Sequence, residues 1–148
     1  MSLEIRTARE SDLAAVLALY AQPGMNDALI LDLEAARAIF RRMKSYPSYE
    51  VYVARFEGRI VGTFALLVMD NLAHLGAPSA IVEDVCVDAG CRGQGIGKEM
   101  MEFAMTTAAE KGCYKLTLSS NLSRTRAHDF YLGLGFRQHG LSFQVDLP

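Results

Sequence analysis

Residues 91–98 read Cys-Arg-Gly-Gln-Gly-Ile-Gly-Lys, with Gly93, Gly95 and Gly97 at every second position. Such spacing is costly unless the backbone must bend sharply or be approached closely. Ile96, Met100, Phe103 and Ala104 follow at helical spacing, so the loop opens a helix. A helix start leaves main-chain N–H groups unpaired and carries partial positive charge, and glycines let an anion's oxygens reach those groups with no Cβ in the way. Arg92 and Lys98 flank the loop and could add charge-assisted contacts. The pattern predicts a phosphate-bearing ligand; the plainer alternative is a surface turn whose glycines only satisfy unusual backbone angles. A nucleoside-triphosphate loop would need glycine at Arg92 and Ser or Thr at Glu99, and the dinucleotide fingerprint would need glycine at Lys98, so neither motif is present.

The elements around the loop can be read from periodicity. Apolar Leu13, Val16, Leu17 and Tyr20 predict a helix over about 11–20 that Pro23-Gly24 ends, and Leu33, Ala36, Ile39, Phe40 and Met43 predict a second. Alternation predicts strands over 49–56 and 59–69, joined as a hairpin by Glu57-Gly58. A loop over 71–78 leads to a strand at 80–87, and the loop's helix runs to about Glu110, where Gly112 closes it. A strand at 115–119, a short helix over 127–132 and final strand pieces at Phe136 and 143–147 complete the order. Strand 80–87, helix 95–110 and strand 115–119 make a βαβ unit with parallel strands. No linker or repeat interrupts the 148 residues, which predict a single domain spanning 1–148.

Composition narrows the function classes. A formal net charge of -2 gives no electrostatic reason to bind nucleic acid, and no apolar run approaches the roughly 20 residues that cross a bilayer. The start, Met-Ser-Leu-Glu-Ile-Arg, has no secretion-signal pattern, so the cytoplasm is the expected location. Cys86, Cys91 and Cys113 form neither a disulfide framework nor a zinc ligand set, and His74, His128 and His139 show no ligand spacing; metal is not expected.

Glu83-Asp-Val-Cys-Val followed by Arg92-Gly-Gln-Gly-Ile-Gly, and Asn121 through Ala127-His-Asp-Phe-Tyr-Leu-Gly-Leu-Gly-Phe136, together resemble the two signatures of the GNAT superfamily of acetyl-CoA-dependent N-acetyltransferases. The stretch 118–131, Glu83-Asp84 and Gly112-Cys-Tyr-Lys are similar to small-amine acetyltransferases of the aminoalkylphosphonate and glucosamine-phosphate types. The resemblance implies an α/β (α+β) fold with a mixed, mostly antiparallel sheet, a central βαβ unit and helices on both faces. It implies acetyl-CoA as cosubstrate, with main-chain groups of Val85, Cys86 and Val87 along the pantetheine arm. Arg92, Gly93, Gln94, Gly95, Ile96, Gly97 and Lys98 would then surround the pyrophosphate. Asn121 would reach the cofactor through its amide or, equally, cap the helix beyond it. Tyr131 would protonate the departing thiolate or, equally, pack as an aromatic beside Phe130.

That chemistry needs a base, because an alkylamine with a pKa near about 10 is protonated at neutral pH and cannot attack a thioester. Glu83 is the candidate; Asp84 is expected on the opposite strand face if alternation holds, and an ordinary ion pair is the alternative for either. The expected acceptor is a small-molecule primary amine. Arg124 and Arg126 are candidates for an acidic group on it, or are simply solvated. A non-catalytic acyl-CoA sensor and an acetyltransferase acting on protein amines stay open, as does a homodimer.

Overall fold

A computed structural model describes residues 2–148. By internal packing the chain divides into two compact units, Met1–Thr117 and Leu118–Pro148. The first holds β1 (Leu3–Thr7), α1 (Leu13–Tyr20), α2 (Leu33–Lys44), β2 (Tyr49–Phe56), β3 (Arg59–Met69), β4 (Ser79–Val87), α3 (Ile96–Glu110) and β5 (Leu116–Thr117). The second holds α4 (Thr125–Gly133).

The five strands form one sheet in chain order, β1-β2-β3-β4-β5. The first three pairings are antiparallel and only β4–β5 is parallel, through α3 as crossover. The mixed, mostly antiparallel α+β architecture is therefore as expected. Neighbours on β2 point to opposite faces. Val51 and Val53 join Leu13, Val16, Ala36 and Phe40 in a core under α1 and α2. Tyr52 instead stacks on Phe64 with ring centroids 5.1 Å apart and meets Phe103 of α3 edge-on at 5.3 Å. Helices thus cover both faces. Close approach of α3 requires Gly62, where a Cβ would lie 2.5 Å from Met100 Sδ.

Three sequence expectations change. β1 was not anticipated, the strand expected at 115–119 is reduced to Leu116–Thr117, and no strand forms at Phe136 or 143–147. Leu141, Phe143, Val145 and Leu147 alternate as a strand would, yet all four are exposed. Alternation specifies which face a strand would bury, but a ladder also needs a neighbour.

β1 leads into α1 through a partly buried ion pair. Asp12 accepts from both Arg6 guanidinium nitrogens, at 2.7 and 3.0 Å, and from the Arg9 backbone N–H at 2.7 Å. The Arg6 hydrogen bonds, against opposing burial, hold the Asp12 carboxyl below its usual 3.8. A lowered carboxylate pKa contributes stability that is present above the unfolded value and is lost as pH falls through the folded one. Asp12→Asn keeps the shape and should cost about 2 kcal/mol at pH 7. Urea unfolding should show that difference, and it should shrink as pH falls below about 4.

Candidate active site

The glycine loop takes the predicted conformation. Gly93 and Gly95 sit at φ +79° and +81°, a region that residues with a Cβ rarely adopt. A Cβ on either would meet nothing within 4 Å, so open space lies outside them. Gly95 is the residue before α3, and no side chain caps the helix there. Among the described residues, the N–H groups of the first turn, Ile96 to Lys98, have no side-chain acceptor. Arg92, Gln94 and Lys98 are exposed around them, with Lys98 only 3.9 Å from Glu102 along the helix. Ile96 points inward and is buried.

The loop is anchored at its start by Asp88, whose carboxylate accepts from the Gly90 N–H at 2.8 Å and from Arg59 at 3.1 Å. Upstream, β4 pairs with β5 only at Ala80↔Leu116 and Ile81↔Thr117. Val85, Cys86 and Val87 therefore lie on a stretch of β4 that, among the described residues, no strand covers on the β5 side. Pairing on the other side is irregular: Thr63 faces Cys86 and Ala65 faces Glu83, so Asp84 and Val85 together oppose Phe64. This is a β-bulge, and Asp84 takes φ +53°, which a short polar side chain tolerates better than most.

The bulge corrects the expectation of opposite faces for Glu83 and Asp84. Both are exposed, and both carboxylates act on the Tyr49 phenol. Burial first, then Asp84, then Glu83 push that phenol's pKa up. Tyr20, at the end of α1, is pushed far above its ordinary range by burial and secondarily by Asp84. Two phenols that stay protonated thus stand within electrostatic reach of the carboxylates at the bulge. Neither tyrosine was singled out from the sequence, where each reads as one more apolar-periodic position.

In the second unit, Asn121 organises the turn before α4. Its amide oxygen accepts from the Ser123 N–H at 2.9 Å and the Ser123 hydroxyl at 2.8 Å, and its carbonyl meets His128 Nε2 at 2.8 Å. Asn121 does not cap α4, whose N-cap is Arg124 and carries no side-chain cap; it builds the turn ahead of the helix instead. Beside it, the Ser120 hydroxyl is shielded from solvent and has no hydrogen-bond partner. In the sequence nothing distinguishes this serine, which directly follows the strand expected at 115–119. Tyr131 packs edge-on against Phe130 at 5.1 Å and Phe136 at 5.6 Å. Burial raises its pKa, and Arg124 pulls it back in part.

Residues 13–136 match the Acetyltransferase (GNAT) family. The chain belongs to that family. It is 32% identical to a glucosamine 6-phosphate N-acetyltransferase of Trypanosoma brucei brucei, over 99% of this chain and 97% of that one. It is 31% identical to an aminoalkylphosphonate N-acetyltransferase of Salmonella typhimurium, over 95% of this chain and 88% of the relative. A transcriptional regulator from Bacillus halodurans shares the fold with a TM-score of 0.90 and 28% identity, covering 99% of this chain and 100% of that one. The GNAT assignment makes the protein an N-acetyltransferase, a family that generally uses acetyl-CoA. Within the first unit, uncapped helix-start amides, open space outside Gly93 and Gly95 and a strand edge that β5 leaves uncovered all fit such a ligand. No helix among the described residues is long and apolar enough to cross a membrane.

Proposed function

We propose that the protein transfers the acetyl group of acetyl-CoA to the primary amine of a small molecule that also carries a phosphate or phosphonate. The observation that carries the cosubstrate side is the junction of an uncovered β4 edge with a glycine loop whose helix-start amides have no side-chain cap. On this reading the main chain of Val85–Val87 holds the pantetheine arm and residues 92–98 hold the pyrophosphate, with Arg92 and Lys98 adding charge. Asn121 contributes through the turn it builds. The family match runs across the boundary between the two compact units, which supports treating 1–148 as one acetyltransferase domain.

When bound, acetyl-CoA supplies a thioester carbonyl open to attack by an amine. Glu83 takes the proton that the acceptor ammonium must lose, directly or through water, and its exposed position at the bulge supports that role. The amine nitrogen then bonds to the carbonyl carbon, the Tyr131 hydroxyl gives its proton to the sulfur as the C–S bond breaks, and the nitrogen's remaining extra proton passes to the tyrosinate through solvent, leaving a neutral amide and a free thiol. Asp84 adds negative charge beside Glu83, which favours an incoming cation.

The acceptor class is supported by the relatives: glucosamine 6-phosphate and an aminoalkylphosphonate both join an amine to a phosphorus oxyanion. Arg124 and Arg126 are exposed at the start of α4 and could pair with that anion in charge-assisted bonds. Thiol release should be followed with an aminoalkylphosphonate and a neutral amine of equal length. Wild type should favour the phosphonate in kcat/KM by about tenfold or more, and Arg124→Ala or Arg126→Ala should erase most of that preference. Equal use of both acceptors, unaffected by either substitution, would discard the anionic acceptor and leave acetyl transfer intact.

A further inference from the structure

Gln22 lies two residues beyond α1, and one side chain there joins three separate stretches of chain. Its amide oxygen accepts from the Ala89 N–H at 2.7 Å. Its Nε2 donates to the Leu19 carbonyl at 3.0 Å, to Cys86 Sγ at 3.1 Å and to the Val87 carbonyl at 3.2 Å. Two amide hydrogens shared among three acceptors leave the nitrogen fully used. Cys86, 7% exposed, in turn donates from Sγ to the same Leu19 carbonyl at 3.3 Å. The end of α1, the last residues of β4 and the first residue of the turn leading to the glycine loop are therefore tied through a single primary amide.

This location has consequences for the loop. Val87 is the last residue of β4, and β5 covers β4 only as far as Ile81. Beyond Val87 the chain is held by the Asp88 N–H on the Val61 carbonyl at 2.8 Å and by the bonds of Asp88 to Gly90 and Arg59. None of those engages Ala89 or the Val87 carbonyl. Gln22 grips both, one on each side of Asp88, and so fixes the direction in which the chain leaves the strand. A primary amide is suited to this because it offers acceptor and donor together; glutamate would set a carboxylate against two carbonyls, and an aliphatic side chain would offer neither.

We infer that Gln22 is a positioning residue for the pyrophosphate loop: by holding the Val87 carbonyl and the Ala89 amide it sets the alignment of the α3 helix-start amides. The inference rests on the reading of residues 92–98 as the coenzyme A site. It touches no reacting atom, so its loss should appear in cosubstrate binding and not in the chemical step.

The test is calorimetric binding of coenzyme A to wild type, Gln22→Ala and Gln22→Met, beside initial-rate kinetics and urea unfolding. Both variants should bind coenzyme A about tenfold more weakly, and the kinetic loss should fall on KM for acetyl-CoA and not on kcat. Gln22→Met fills a similar volume and carries the test should alanine disturb packing. Wild-type affinity in a folded variant, or a loss confined to kcat, overturns the inference. Loss of fold in both variants overturns it too, because Gln22 would then support the core and not the loop. Wild type that fails to bind coenzyme A would instead remove the loop assignment on which the inference stands.

Discussion

Gly95→Val should lose about 10²-fold or more of its affinity for coenzyme A while the domain still folds. Gly95 sits at φ +81° immediately before α3, with nothing within 4 Å of the place a Cβ would take. A β-branched side chain there acts in two ways. It strains the backbone by roughly 1–2 kcal/mol, or pulls the first turn out of line to escape that strain. It also puts methyl groups into the open space through which phosphate oxygens would reach the helix-start amides. Gly95→Ala separates the two, since it imposes the same backbone demand with much less bulk. Calorimetry with coenzyme A reads both variants, and unchanged affinity in folded Gly95→Val would remove this loop from cosubstrate binding.

Tyr131→Phe should lower kcat by roughly 10²-fold and leave coenzyme A affinity nearly unaltered. The ring contacts with Phe130 at 5.1 Å and Phe136 at 5.6 Å are available to phenylalanine, so the substitution removes a proton and little else. Burial raises the Tyr131 pKa, with Arg124 opposing. A raised value keeps the acid form present throughout the neutral range, and the proton is lost only above the ordinary value of about 10. The kcat profile should therefore show no fall from this group until strongly alkaline pH. The same shift makes the phenol a weaker acid, which disfavours proton transfer ahead of C–S cleavage. Full activity in Tyr131→Phe would assign the residue to packing.

How much of this was legible depended on whether a feature is local. The glycine loop could be read because its spacing and the helix after it occupy one short stretch. The β2–β3 hairpin could be read because alternation and the Glu57-Gly58 turn are adjacent. β1 was missed although Leu3 and Ile5 alternate with Glu4 and Arg6, because five residues say little until Phe56 through Tyr52 are known to lie alongside. The segment 143–147 shows the reverse case, a clear alternation without a partner strand. At the candidate site, Glu83 can be named from its place in the strand, but the bulge that brings Asp84 to the same phenol depends on register with β3, which no single-strand pattern contains. Gln22 was silent for the same reason: beside Pro23-Gly24 it reads as a helix stop, and its partners Cys86, Val87 and Ala89 are more than sixty positions away.

The strand order bears on the route by which the chain folds. β2, β3 and β4 follow one another as an antiparallel meander, so their ladders close over short connections at little cost in chain entropy. The parallel β4–β5 ladder must wait for the whole α3 crossover and then gains only two residue pairs. Early contacts therefore favour the face that carries the bulge and its carboxylates. The glycine loop lies inside the crossover, so its final alignment depends on the least rewarded closure of the sheet.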